Sequence, residues 1–133
     1  MNVRAVHHVA FAVDDLDEAV ETYRSLFDAE VELRGTLHDQ GVEAVYLRLG
    51  EGRVELLSAL AGDTPVGRFL AKRGPGMHHV GFAVDDIAGA VDDLTARGAN
   101  VIEPAPRPGL GGHDVAFVHP DSLHGVLAEV VGA

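Results

Sequence analysis

Residues 7–20 read HHVAFAVDDLDEAV, and residues 78–91 read HHVGFAVDDIAGAV. Ten of the fourteen positions are identical at an offset of 71 residues. Chance does not produce such a match, so the chain is a duplicated module. Outward from this stretch the register continues. Ala29-Glu30-Val31-Glu32 answers to Ala99-Asn100-Val101-Ile102, each after a helical segment. A glutamate between apolar residues then closes each half, Val54-Glu55-Leu56 and Ala128-Glu129-Val130, at an offset of 74. The second half therefore holds about three extra residues. The Pro/Gly-rich stretch Pro104–Gly112 is where they are expected.

The same secondary structure is expected in both halves. Val6–Val13 and His78–Val84 alternate as strands do. Asp14-Asp15 and Asp85-Asp86 follow as N-cap doublets. Leu16, Ala19, Val20, Tyr23 and Phe27 then recur at helical spacing, as do Ile87, Val91 and Leu94 before Gly98. Three strands follow each helix: Val31–Arg34, Val42–Leu49 and Arg53–Ala59, then Val101–Glu103, Asp114–His119 and Gly125–Val131. Between the halves, Thr64-Pro65 predicts an N-cap with proline at the first helical position. The reading is an α+β fold of two tandem βαβββ modules in a single domain over residues 1–133. Module 1 spans 1–61, a linker helix 62–74 and module 2 75–133.

Period-two arithmetic sorts the histidines. His7, Val9, Phe11 and Val13 share one face of their strand, while His8, Ala10 and Ala12 share the other. His78, Val80, Phe82 and Val84 oppose His79, Gly81 and Ala83 in the same way. The bulky face must pack against helices. The small-residue face leaves room on the other side of the sheet, and His8 and His79 project there. Glu55 and Glu129 stand in otherwise apolar strands, where an ionised carboxylate is costly unless paired or metal-bound. His8 and Glu55 are 47 residues apart, His79 and Glu129 are 50 apart, and the four together make a candidate metal site. Nitrogen and oxygen donors without sulfur suit Co, Ni, Zn, Fe or Mn. The competing reading is that the histidines are remnants of the duplication and the glutamates occupy a sheet edge. His7 and His78, at strand starts on the helix side, are expected to be structural or to support a ligand. His38, His113, His119 and His124 are expected in solvent.

Composition narrows the function. The chain has 21 acids against 10 bases, a net charge of −11 with neutral histidines, which repels nucleic acid and anionic lipid. It has no cysteine, so disulfides, thiolate metal sites and thiol nucleophiles are excluded. No apolar run approaches a membrane span and Met1–Val6 is no signal peptide, so the expected compartment is the cytoplasm. GxSxG, P-loop and complete GxGxxG motifs are absent.

HHVAFAVDDLDEAVETYRSLF, PVGRFLAKRGPGMHHVGFAVDDI, GANVIEPAPRPGLGGHDVAFVHP and HGVLAEVV together cover nearly the whole chain. In them the chain resembles the vicinal oxygen chelate superfamily, and most closely its methylmalonyl-CoA epimerases. The resemblance implies an eight-stranded, cup-like sheet with helices outside, around one divalent metal ion. It carries the ligands onto His8, Glu55, His79 and Glu129. One departure stands out. A glutamate proposed as catalytic base in some bacterial epimerases aligns with Ala44, and Glu43 falls one residue earlier. Alternation groups Glu43 with Val45, Leu47 and Leu49 on the helix side, and Ala44 with Tyr46 and Arg48 on the other.

The implied activity is epimerisation of a 2-substituted malonyl thioester, methylmalonyl-CoA above all. It would proceed by α-proton abstraction through a metal-stabilised enolate. Glu129 is the candidate for both ligand and base, Glu43 a weaker candidate for the second base, and Tyr46 a polar lining group. Arg107–His113 has the glycine content of a mobile rim, or is a plain connection. The expected partner is a small acyl-CoA, and the expected assembly a homodimer. Competing readings are a glyoxalase I-like lactoylglutathione lyase, a ring-cleaving dioxygenase and, in another class, a metal-free binding protein of the same fold. Retention of all four ligand residues argues against the last.

Overall fold

The computed structural model describes residues 1–132. Its elements run β1 (Val3–Ala12), α1 (Leu16–Phe27), β2 (Glu30–Leu37), β3 (Val42–Leu49), β4 (Gly52–Ala59), α2 (Pro65–Arg73), β5 (Gly76–Val84), α3 (Ile87–Ala96), β6 (Val101–Pro108), β7 (Asp114–Val118) and β8 (Ala128–Gly132). Short 3-10 turns stand at Leu110–Gly112 and Pro120–Ser122. This is βαβββ, a helix, and βαβββ again. The eight strands belong to one sheet in the order β2-β3-β4-β1-β5-β8-β7-β6. No helix among the described residues is long and apolar enough to cross a membrane.

The chain forms two compact units, and their boundary cuts through a strand. Val9–His78 is one unit; Met1–His8 and His79–Ala133 make the other. In the Val9–His78 unit, β2, β3 and β4 are antiparallel and the Val9–Ala12 part of β1 lies parallel to β4. Its core gathers Leu16, Val20, Ala29, Val45, Leu47 and Leu56, with Phe11, Val13 and Tyr23 packed on it. The bulky face of β1 thus packs with α1, as the alternation requires. In the other unit β5 runs parallel to β8, and β7 is antiparallel to both β8 and β6. Val84, Ala90, Ala116 and Val130 form its core, with Ile87, Val91 and Leu94 from α3.

Local chemistry sets the helix ends. The second aspartate of each doublet is the cap: Asp15 accepts from the Glu18 N–H at 3.0 Å, and Asp86 from the Gly89 N–H at 3.1 Å. Thr64 caps α2 by accepting from the Gly67 N–H, with Pro65 next in line. α3 ends at Ala96 with Arg97 as its C-cap, and Gly98 beyond it adopts φ +88°.

Several strand ends differ from the sequence reading. β2 continues to Leu37 because Thr36 and Leu37 still pair with Glu43 and Val42. β8 begins at Ala128, since His124 and Gly125 have positive φ and make a turn. β6 runs through Pro104, Pro106 and Pro108. It is a terminal strand of the sheet, and its ladder with β7 is interrupted between Ile102 and Arg107, so proline removes no essential hydrogen bond there. Arg107–His113 is a closed connection: Gly109 donates to the His113 carbonyl at 2.7 Å and Leu110 is buried.

Candidate functional site

Parallel pairing gives the two halves the same register. Val9 faces Val54 and Ala10 faces Glu55; Val80 faces Ala128 and Gly81 faces Glu129. The offsets of 71 and 74 read from the sequence are therefore structural correspondences. The glutamates occupy equivalent positions, each beside a small residue of the neighbouring strand.

The small-residue face of β1 and β5 is the more deeply buried one. His8, Ala10, Ala12 and His79 are buried while His7, Val9 and Phe11 remain half-buried. Four polar or charged residues are buried among the described residues: His8, Glu55, His79 and Glu129. These are the four singled out by the duplication.

Three of them converge. His8, His79 and Glu129 each direct one ligand atom to a common place, all within 4.8 Å of one another. His8 Nε2 lies 3.1 Å from His79 Nε2 and 3.1 Å from Glu129 Oε1, and His79 Nε2 lies 3.7 Å from that oxygen. With metal–ligand bonds of about 2.0–2.2 Å, neighbouring ligands in octahedral or tetrahedral geometry stand roughly 2.8–3.6 Å apart. Two of the three separations fall inside that range and the third just outside. Glu129 Oε1 is buried with no hydrogen-bond partner. A buried acceptor left unmade costs about 1–3 kcal/mol, and more when charged. An ion at the convergence point removes that penalty, so the residues fit a divalent metal.

Neighbouring side chains hold the two rings. His8 Nδ1 lies 2.8 Å from His7 Nδ1, which leaves Nε2 to face the cluster. The His79 ring meets Phe117 edge-on at 5.6 Å, and Phe117 is itself the register partner of Glu129 on β7. The sequence reading passed over Phe117 because nothing in the repeat marks it. His78, by contrast, meets the Phe69 ring of α2 edge-on at 5.0 Å.

The remaining candidates are placed as follows. Glu55 lies on β4 in the Val9–His78 unit, between Ala10 and Tyr46 in register, and is not a member of the three-residue group. Tyr46 is buried, with the Arg53 guanidinium 5.4 Å from its ring centre. Glu43 is half-exposed and accepts from Arg34 Nε at 3.0 Å, while Arg34 Nη1 reaches Asp17 of α1 at 2.7 Å. That arrangement keeps Glu43 on the helix side and raises the Arg34 pKa further, chiefly through the Glu43 hydrogen bond. Ala44 is fully buried on the other face. His38, His113 and His124 are exposed and His119 half-buried.

Fold and site define a class of protein. The chain belongs to the glyoxalase/bleomycin resistance protein/dioxygenase superfamily, whose family model matches residues 7–117. Within it the similarity is to epimerases. The mitochondrial methylmalonyl-CoA epimerase of Dictyostelium discoideum is 35% identical over 98% of this chain and 79% of its own length. The ethylmalonyl-CoA/methylmalonyl-CoA epimerase of Cereibacter sphaeroides is 37% identical over 94% of this chain and 95% of its own. A solved methylmalonyl-CoA epimerase in complex with methylmalonyl-CoA and NH4+ superposes with a TM-score of 0.94 at 33% identity, covering 98% of this chain and 94% of that one.

Proposed function

We propose that the protein is a divalent-metal-dependent epimerase of a 2-substituted malonyl thioester, with methylmalonyl-CoA as substrate. The observation that carries the metal is the buried Glu129 Oε1, which makes no hydrogen bond and faces two imidazole nitrogens. The substrate class is carried by the full-length similarity to epimerases of that thioester. His8, His79 and Glu129 would hold the divalent ion, which would supply Lewis-acid stabilisation of negative charge developing on the substrate. The equivalent register of Glu55 and Glu129 in the two halves supports Glu55 as a further oxygen donor.

The chain's own residues then have distinct tasks. His8 and His79 are neutral donors whose Nε2 lone pairs must be free, which requires the proton of each ring on Nδ1. For His8, the acceptor within reach of that proton is His7 Nδ1, 2.8 Å from His8 Nδ1. The Glu129 carboxylate accepts the α-proton of the substrate and can return it. Burial of these groups excludes water, which strengthens each interaction with developing charge. Return of the proton from the opposite face needs a second group. Glu43 could take that role only by leaving Arg34.

Metal stripping and reloading tests the reading. Chelator-treated protein should not exchange the α-proton of methylmalonyl-CoA for deuterium, and Co²⁺ should restore exchange. Co²⁺ at 100 times its Kd should also stabilise the fold by about 2.7 kcal/mol, seen as a higher Tm. Exchange that persists undiminished without metal, or turnover of a glutathione hemithioacetal in its place, would sink the proposal.

A further inference from the structure

Within the first nine residues of the repeat, HHVAFAVDD against HHVGFAVDD, one position differs: Ala10 is replaced by Gly81. Backbone torsion does not explain this glycine. Gly81 lies inside β5 and is not among the glycines with positive φ. Space does explain it. A Cβ on Gly81 would stand 2.3 Å from His8 Cε1, 2.7 Å from Nδ1 and 2.9 Å from Nε2. All three are closer than real Cβ contacts come. The ring has nowhere to retreat. It is 1% exposed, its Nδ1 is engaged by His7, and its Nε2 faces His79 and Glu129. Gly81 is also the register partner of Glu129, so one residue stands beside a ligand carboxylate and against a ligand ring.

We propose that Gly81 is a positioning residue for the metal site. Its missing side chain is the seat of the His8 ring, and it sets the angle at which Nε2 meets the other two donors. This rests on the metal reading above for its consequence, though the steric part stands apart from it. Any side chain at 81 must rotate the His8 ring or displace the β5 backbone, and either opens the cluster.

The test uses Gly81→Ala, His8→Ala and the double variant, each measured without metal and with Co²⁺. Gly81→Ala should weaken Co²⁺ binding by about 10–100-fold in calorimetry, the usual consequence of disturbing a ligand's support. In metal-free protein it should lower Tm by several degrees in the wild-type background and leave it unchanged in the His8→Ala background, where the ring is gone. Should Gly81→Ala fail to fold, folding of the double variant gives the same support. An equal loss of Tm in both backgrounds, failure of both variants to fold, or wild-type Co²⁺ affinity in Gly81→Ala would overturn the proposal. Absence of Co²⁺ binding by the wild-type protein would instead defeat the metal reading, while the metal-free comparison still reports on Gly81.

Discussion

Glu129 carries two assignments that chemistry can separate. As a ligand it needs only an oxygen lone pair, which glutamine also offers. As a base it needs a carboxylate, since an amide does not accept a proton at neutral pH. Glu129→Gln, saturated with Co²⁺, should therefore lose at least about 10²-fold in deuterium exchange, within the 10²–10⁴-fold worth of general base catalysis. Glu55→Gln is the matched control at the equivalent register position and should retain most of its exchange once loaded. Glu43→Gln removes the negative charge paired with Arg34 and should likewise leave exchange largely intact. Equal losses in the Glu129 and Glu55 variants, both repaired by added metal, would remove Glu129 from proton transfer. At this scale the sequence was informative about identity and poor about surroundings. Duplication exposed His8, Glu55, His79 and Glu129, because a pattern kept twice stands out. The contacts of His8 with His7 and Gly81, and of His79 with Phe117, join residues with no shared periodicity.

Elements are governed by nearer chemistry. Each aspartate doublet offers two caps and only one is used, because only the second residue has its side chain beside the free N–H groups of the first turn. Asp15→Ala should destabilise the protein by about 1 kcal/mol, within the 0.5–2 kcal/mol typical of lost caps. Asp14→Ala, at an exposed position outside the helix, should stay within about 0.5 kcal/mol of wild type. The urea midpoint reads both, and neither should change Co²⁺ affinity, since the core that α1 joins contains none of the three converging residues. Equal shifts in the two variants would contradict the cap assignment. β6 was underread from sequence for a definable reason. Proline is a strand breaker in the interior of a ladder, and only knowledge that β6 is terminal makes three prolines admissible.

For the whole molecule, charge and edges matter more than any one contact. β2 and β6 end the strand order, and their outer backbone groups are open to pairing with another chain. We propose a homodimer on that basis. Each copy carries −11, so association must overcome repulsion and should strengthen as salt rises. Light scattering at micromolar protein in physiological salt should give twice the mass of the chain. The mass of one chain across that range would refute the dimer.

Periodicity and repetition, which are properties of neighbours along the chain, were sufficient for the element order, the helix caps, the two faces of β1 and β5 and the four buried polar residues. A strand's alternation and a helix's cap are decided within a few residues, so they are written locally. Tertiary structure alone decided the rest. It set the division of β1 between two units, the convergence of His8, His79 and Glu129 within 4.8 Å, and the engagement of Glu43 by Arg34. It also turned an alanine-to-glycine difference at position 81 into the seat of a ring. These depend on which distant segments meet and at what angle. Side-chain spacing across 71 residues carries no information about that until the strands have paired.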